Sequence, residues 1–187
     1  MPVENERSDE ELVRAAGRGD AAAFEALYRR HRGLVLGLGR RFAGAALAAD
    51  VAQEVFLYLV ARLPELRLQG RLATFLYPVV KHVAAAARRR ERRPGPAERE
   101  VSEELIAPAP AAPEDEDLAA ALAALPEAQR EVVLLRFADA FSLEEIAAAL
   151  GIPLGTVKSR LHHALAGLRA HPRTRRYHEE SGERGIP

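Results

Sequence analysis

Gly155, Thr156, Ser159, His162 and His163 recur at the three- and four-residue intervals that share one face of a helix, while Leu154, Val157, Leu161, Ala164, Leu165 and Leu168 fall on the other. The polar face suits duplex DNA. Small side chains at its N-terminal end permit close approach, the helix dipole favours phosphate there, and Lys158 and Arg160 flank the face as phosphate contacts. Base reading then falls to Ser159, His162 and His163. Two successive histidines also raise the question of a metal, but neighbours on a helix lie about 100° apart. No third ligand is evident, so neither a metal site nor a cofactor is expected. On geometry alone, a helical hairpin with a solvated polar face is the plainer alternative.

Two further constellations precede it. If the segment from Ala48 to about Leu63 is helical, Val51, Ala52, Val55, Phe56 and Leu59 make its core side and Asp50, Gln53, Glu54 and Leu57 share the opposite face. A leucine among carboxylates points to a protein partner. Solvated surface acids are the competing reading. Thr74 to Arg93 combines Phe75, Tyr77 and His82 with Lys81, Arg88, Arg89 and Arg90, then Arg92 and Arg93. That composition suits stacking of unpaired bases and neutralisation of their backbone, although an arginine run also fits a solvated helix end favoured by the dipole. No phosphate-binding loop, metal triad or nucleophile with a partnered base is present, and catalysis by this chain is not expected.

The elements that must position these residues are helices. Alanine and leucine dominate the apolar content of the 187 residues, which favours two compact all-α units. Absence of cysteine excludes disulfides, thiolate metal sites and cysteine nucleophiles. No apolar run approaches the roughly 20 residues of a membrane span, and the start lacks the order of a signal peptide. No membrane association is expected, and the cytoplasm is the expected compartment. Formal net charge is zero, but its blocks are segregated: Lys81 to Arg93 holds six cations against Glu91, and Glu98 to Asp117 holds eight carboxylates against Arg99.

Ser8 with Glu11 and Ser142 with Glu145 read as capping boxes, and Asp20 as a further N-cap. From Ala21 to about Phe42, the residues Phe24, Leu27, Tyr28, Leu34, Val35 and Leu38 should form one wall of a core. A fourth helix follows Gly70, with a start or kink expected at Pro78. Five prolines between Pro94 and Pro113, among acidic residues, mark a flexible acidic Pro/Ala-rich linker. The segment Leu118 to Leu125 should be a short helix, and Pro126 with Glu127 should open the next, to about Phe137. Leu143 to Leu150, a left-handed Gly151, and Leu154 to Ala170 make a helix-turn-helix. The expected organisation is a helix bundle over 1–93, a linker over 94–116, the helix-turn-helix domain over 117–171 and a disordered tail over 172–187.

Taken together, Leu125-Pro-Glu, Glu131 to Phe137, Ser142-Leu-Glu-Glu-Ile-Ala and Gly151-Ile-Pro-Leu-Gly-Thr-Val-Lys-Ser-Arg-Leu-His resemble region four of the extracytoplasmic-function sigma factors. Leu12 to Tyr28 with its Gly19-Asp20 step, Asp50-Val-Ala-Gln-Glu-Val-Phe and Thr74-Phe-Leu-Tyr are similar to the same family's region two. The resemblance implies a subunit that binds core RNA polymerase and directs it to promoter DNA. In it, region two meets the polymerase clamp and the minus-ten element, and region four the polymerase flap and the minus-thirty-five element. Asp50, Gln53, Glu54 and Leu57 become the polymerase-docking face. Phe75, Tyr77, Lys81, His82, Arg88, Arg89 and Arg90 become the minus-ten contacts, with His82 near the pocket for a flipped base and Phe75 either strand-separating or core. Thr156, Lys158, Ser159, Arg160, His162 and His163 become the minus-thirty-five contacts. An acidic linker that threads polymerase channels, its carboxylates standing in for phosphates, and an anti-sigma factor as a further partner belong to the same pattern, with an entropic spacer as the equal alternative for the linker. The chain departs from it at Leu68 and Gln69, at Pro78 and at His163. A helix-turn-helix regulator that is not a polymerase subunit is the alternative, and it would need no front bundle.

Overall fold

A computed structural model describes residues 7–68, 70–92 and 113–174. In chain order the helices are α1 (Asp9–Ala16), α2 (Ala21–Ala43), α3 (Ala48–Arg62), α4 (Leu72–Glu91), α5 (Pro113–Ala124), α6 (Glu127–Phe137), α7 (Leu143–Leu150) and α8 (Leu154–Ala170). They fall into two compact units, α1–α4 and α5–α8, and the described residues contain no strand.

In the front unit both expected caps form. The Glu11 carboxylate accepts the Ser8 N–H at 2.7 Å while the Ser8 hydroxyl accepts from the Glu11 N–H, and Asp20 Oδ1 accepts the Ala23 N–H at 3.1 Å. The buried stripe of α2 is Ala23, Leu27, His31, Val35 and Leu38. Tyr28, expected in that wall, is 42% exposed, because it lies one residue, about 100°, around the helix from Leu27. Its ring instead covers Phe56 of α3 at 4.7 Å between centroids. Where α2 meets α3, a Cβ on Gly39 would stand 3.2 Å from the Ala48 carbonyl oxygen, so glycine permits the close crossing.

Helix α4 starts at Leu72 rather than at Pro78 and runs through the proline. Pro78 lies on the exposed side and forfeits the one bond its N–H would have made to the Thr74 carbonyl, while Leu72, Leu76, Val80 and Ala84 anchor the helix in the core. Arg71 gives this helix no side-chain cap. Asp9 of α1 supplies one, its Oδ2 accepting the Leu72 N–H at 3.0 Å while Oδ1 accepts Arg30 Nη1 at 2.7 Å. His31 Nε2 also lies 3.0 Å from Asp9 Oδ2, as a close ion-pair contact off the line of a hydrogen bond. Burial works to raise the Asp9 pKa. The contacts and charge of His31, the Arg30 guanidinium and the Leu72 N–H outweigh it, and hold the carboxyl well below the usual range.

In the back unit α5 opens at Pro113, so residues 113–116 of the expected linker are helical. Proline fits a first helical position, where its missing N–H costs nothing, and Glu116 and Asp117 follow close to the positive end of the dipole. Phe141, in the turn before α7, has no exposed surface, and Leu135, Ile146 and Val157 are equally buried. Its N–H donates to the Leu135 carbonyl at 2.9 Å and its own carbonyl accepts from Arg136 Nη1 at 3.0 Å. Helix α7 opens on the expected Ser142–Glu145 capping box and closes on Gly151 at φ 63°. The ordered chain passes the boundary expected at 171. Thr174 is buried, and its hydroxyl donates to the Leu168 carbonyl, which also accepts the His171 N–H at 3.3 Å. The remainder of the expected linker, residues 94–112, and of the expected tail, residues 175–187, lie outside the described residues. Among the described residues no helix is long and apolar enough to cross a membrane.

Candidate functional site

The outward face of α8 is built as the sequence spacing requires. Val157 and Ala164 are fully buried, so Lys158, Ser159, His162 and His163 are turned to solvent and Thr156 and Arg160 are half-buried at its margins. The rings of His162 and His163 lie 5.8 Å apart and tilted by 66°, which places two polar edges side by side along the helix. At the N-terminus Pro153 provides no side-chain cap, leaving the first turn to other partners. Across the turn, Glu144 of α7 is held below the ordinary carboxylate range. Its own backbone N–H is the main cause, then the Ser142 hydroxyl, then the charges of Lys158 and Arg136.

On α3, Asp50 and Gln53 are exposed, Glu54 is half-exposed and Leu57 is 61% exposed, all on the side opposite the buried Val51, Val55 and Leu59. The apolar part of this face is larger than spacing alone suggested. Tyr58 and Val60 are exposed too, and Arg62 lies over the Tyr58 ring at 5.4 Å. Hydropathy could not have found them, because a valine and a tyrosine in an amphipathic helix read as core until their direction is known.

Helix α4 divides the expected minus-ten residues. Lys81, His82, Arg89 and Arg90 are exposed, Phe75 and Arg88 are half-buried, and Tyr77 is 1% exposed. Tyr77 is therefore a correction: its ring packs edge-on against Phe42 at 5.8 Å in the core and presents no face to a base. Phe75 and Tyr77 are two residues apart, about 200° around the helix, and it is Tyr77 that takes the core side. Phe42, which sequence reading left as a helix end, takes a part here. Lys81 Nζ lies 6.0 Å over its ring and Arg88 Nη1 approaches its carbonyl at 3.5 Å. Arg90 Nη2 meets Glu54 Oε2 of α3 at 2.6 Å. The Glu54 hydrogen bond and charge, with Asp50 behind them, raise the Arg90 pKa above its ordinary value. In the back unit the 62% exposed Phe137 at the end of α6 is a further apolar residue that the sequence did not single out. Among the described residues no group of three or more His, Asp or Glu could hold a metal ion.

Residues 27–94 match the family described as Sigma-70 region 2, and residues 115–168 match Sigma-70, region 4. The chain is 33% identical over 183 residues to the ECF RNA polymerase sigma factor SigD of Mycobacterium tuberculosis, covering 90% of this chain and 85% of that one. It is 31% identical over 181 residues to the RNA polymerase sigma-H factor of Pseudomonas aeruginosa, covering 85% and 91%. Among solved structures it resembles CnrH in complex with the cytosolic domain of CnrY, with a TM-score of 0.63 and 23% identity over 88% of this chain and 96% of that one. It also resembles the sigma factor RpoE in complex with the anti-sigma factor NepR from Bartonella quintana, with a TM-score of 0.57 and 21% identity over 78% and 94%.

Proposed function

We propose, for a chain that belongs to the ECF RNA polymerase sigma factors, a division of that family's work among its own residues. The protein is a sigma factor that binds core RNA polymerase and directs it to promoter DNA. In our reading, α3 grips the polymerase clamp through Asp50, Gln53, Glu54 and Leu57, extended by Tyr58 and Val60. Helix α4 meets the minus-ten element, with Phe75 and His82 toward bases and Lys81, Arg88, Arg89 and Arg90 toward phosphates. Helix α8 enters the major groove of the minus-thirty-five element, where Ser159, His162 and His163 reach base edges and Thr156, Lys158 and Arg160 hold the backbone. Phe137 is the apolar contact offered to the polymerase flap.

The observation that supports this assignment best is the outer face of α3, where a 61% exposed leucine sits among Asp50, Gln53 and Glu54. Stability of the bundle gains nothing from that leucine, whereas an interface would bury it among groups that set its partner's charge. Such a face also separates this reading from a regulator that uses only the helix-turn-helix. The chain contributes binding surfaces, and bond formation belongs to the polymerase. It works in the cytoplasm, where polymerase and DNA are, and an anti-sigma factor that covers these faces is a further partner.

The test is reconstitution with purified core polymerase. Charge reversal of both acids, Asp50→Lys with Glu54→Lys, should weaken association with core by about tenfold or more, as loss of complementary charge does at a desolved interface. Lys158→Ala should weaken promoter binding by the loaded enzyme at all sequences, and Ser159→Ala should relax discrimination only at the upstream element. Association unaffected by the double reversal would overturn the docking assignment.

A further inference from the structure

Two surfaces given separate tasks above share one ion pair. Glu54 belongs to the α3 face that meets polymerase, Arg90 to the α4 run that meets phosphate, and they join at 2.6 Å. A guanidinium N–H committed to a carboxylate is withheld from a phosphate oxygen, since both acceptors want the same planar fork. We propose that Glu54 is an intramolecular competitor for Arg90, so that a cationic group of the polymerase that takes Glu54 releases Arg90 to the promoter backbone. Docking and phosphate binding by the front unit are thereby positively coupled. The inference rests on the residue assignments of the preceding section and adds to them a linkage between the two faces.

Several features favour a contact that opens rather than a fixed brace. Both side chains keep about half their surface in water, 60% for Arg90 and 43% for Glu54. An exposed pair of this kind biases a population by about fivefold at most, which a partner's charge can reverse. The neighbouring cations are placed differently: Arg88 leans on the Phe42 carbonyl at 3.5 Å, and Arg89 is exposed beside it. Asp50, one turn before Glu54, adds to the field that holds Arg90 on α3. Reciprocity then follows from thermodynamics. Whatever factor a cation on Glu54 gains for Arg90 binding phosphate, phosphate on Arg90 returns to the cation.

The experiment uses the full-length chain without polymerase, as wild type, Glu54→Gln, Arg90→Gln and the double variant. Each is titrated with a short fluorescein-labelled DNA duplex over a series of salt concentrations, and unchanged helical circular dichroism verifies the fold. Glu54→Gln should bind about two- to fivefold tighter than wild type, and its slope of log affinity against log salt should steepen by about 0.9, one further phosphate contact. In the Arg90→Gln background the same change should bring less than half of that gain. Equal binding by wild type and Glu54→Gln overturns the coupling, and so does a gain that survives largely intact without Arg90, which would be the general field of a lost carboxylate. The step from Glu54→Gln to the double variant reports on Arg90 alone. No loss there means that Arg90 is not a DNA contact, and its assignment falls together with the coupling; a loss there with an inert Glu54→Gln removes only the coupling.

Discussion

The two units open their key helices in different ways. In the front unit the first N–H of α4 is held by the carboxylate of Asp9, 63 residues earlier in the chain, which also gathers Arg30 and His31 of α2. In the back unit α7 is opened by Ser142 and Glu145, three residues apart on one strip of chain. The cores differ in the same sense. The front unit buries Tyr77 with leucines from all four helices, whereas the back unit buries Phe141, from a turn, and α8 packs its Ala164 with Leu125 and Val133. One unit is cross-tied by distant residues; the other opens its helices by local solutions. Single substitutions should therefore spread differently in the two.

Phe141→Ala is expected to have the largest effect, about 3–5 kcal/mol, because the lost burial is joined by a cavity. Nuclear magnetic resonance during thermal unfolding should show the signals of α6–α8 lost early while those of α1–α4 persist, and simultaneous loss in both units would break the comparison. Asp9→Asn should cost about 2 kcal/mol at neutral pH, the scale of hydrogen bonds to a charged group. Its pH dependence has a definite sign. The folded-state pKa lies below the unfolded one, near 3.9, so the stabilisation is complete above that value and fades as pH falls through and beneath it. Denaturation curves of wild type and Asp9→Asn should converge on acidification, in the front-unit transition only. The smallest effect sharpens the contrast from the other side: Ser142→Ala and Ser8→Ala should each cost about 1 kcal/mol, since the two boxes have the same geometry in either unit. A markedly larger loss for Ser142 in chemical denaturation would mean that the back unit is less local than its contacts suggest.

What could be read from the chain follows the same line between local and distant. Both capping boxes, the Asp20 cap, the left-handed Gly151 and the bounds of α8 were legible, because each is set by residues within one turn of each other. The polar face of α8 and the acidic face of α3 were legible for the same reason. Tyr28 was misplaced because a helical period fixes a stripe only to within about one residue, and His31 is the residue that completes it. The Asp9 clasp and the Glu54–Arg90 pair depend on contacts between elements distant in the chain, which no spacing rule contains. Pro113 read as a breaker, although a proline is as much at home in a first turn. Tyr77 is the instructive case for the candidate site. Its composition suited base stacking, and only its burial against Phe42 told that it could not serve.

Pro78 has little consequence for how α4 moves. A rung is absent between Thr74 and residue 78, while the far end of that short stretch is clasped at Leu72 by Asp9. The missing rung is offset there by the Asp9 clasp and by the fully buried Leu72 and Leu76 and the buried Tyr77, so the amides of this stretch should exchange with heavy water about as slowly as those beyond the proline. Phe75 rides on that pinned stretch, so the aromatic assigned above to bases is set in place before any strand arrives.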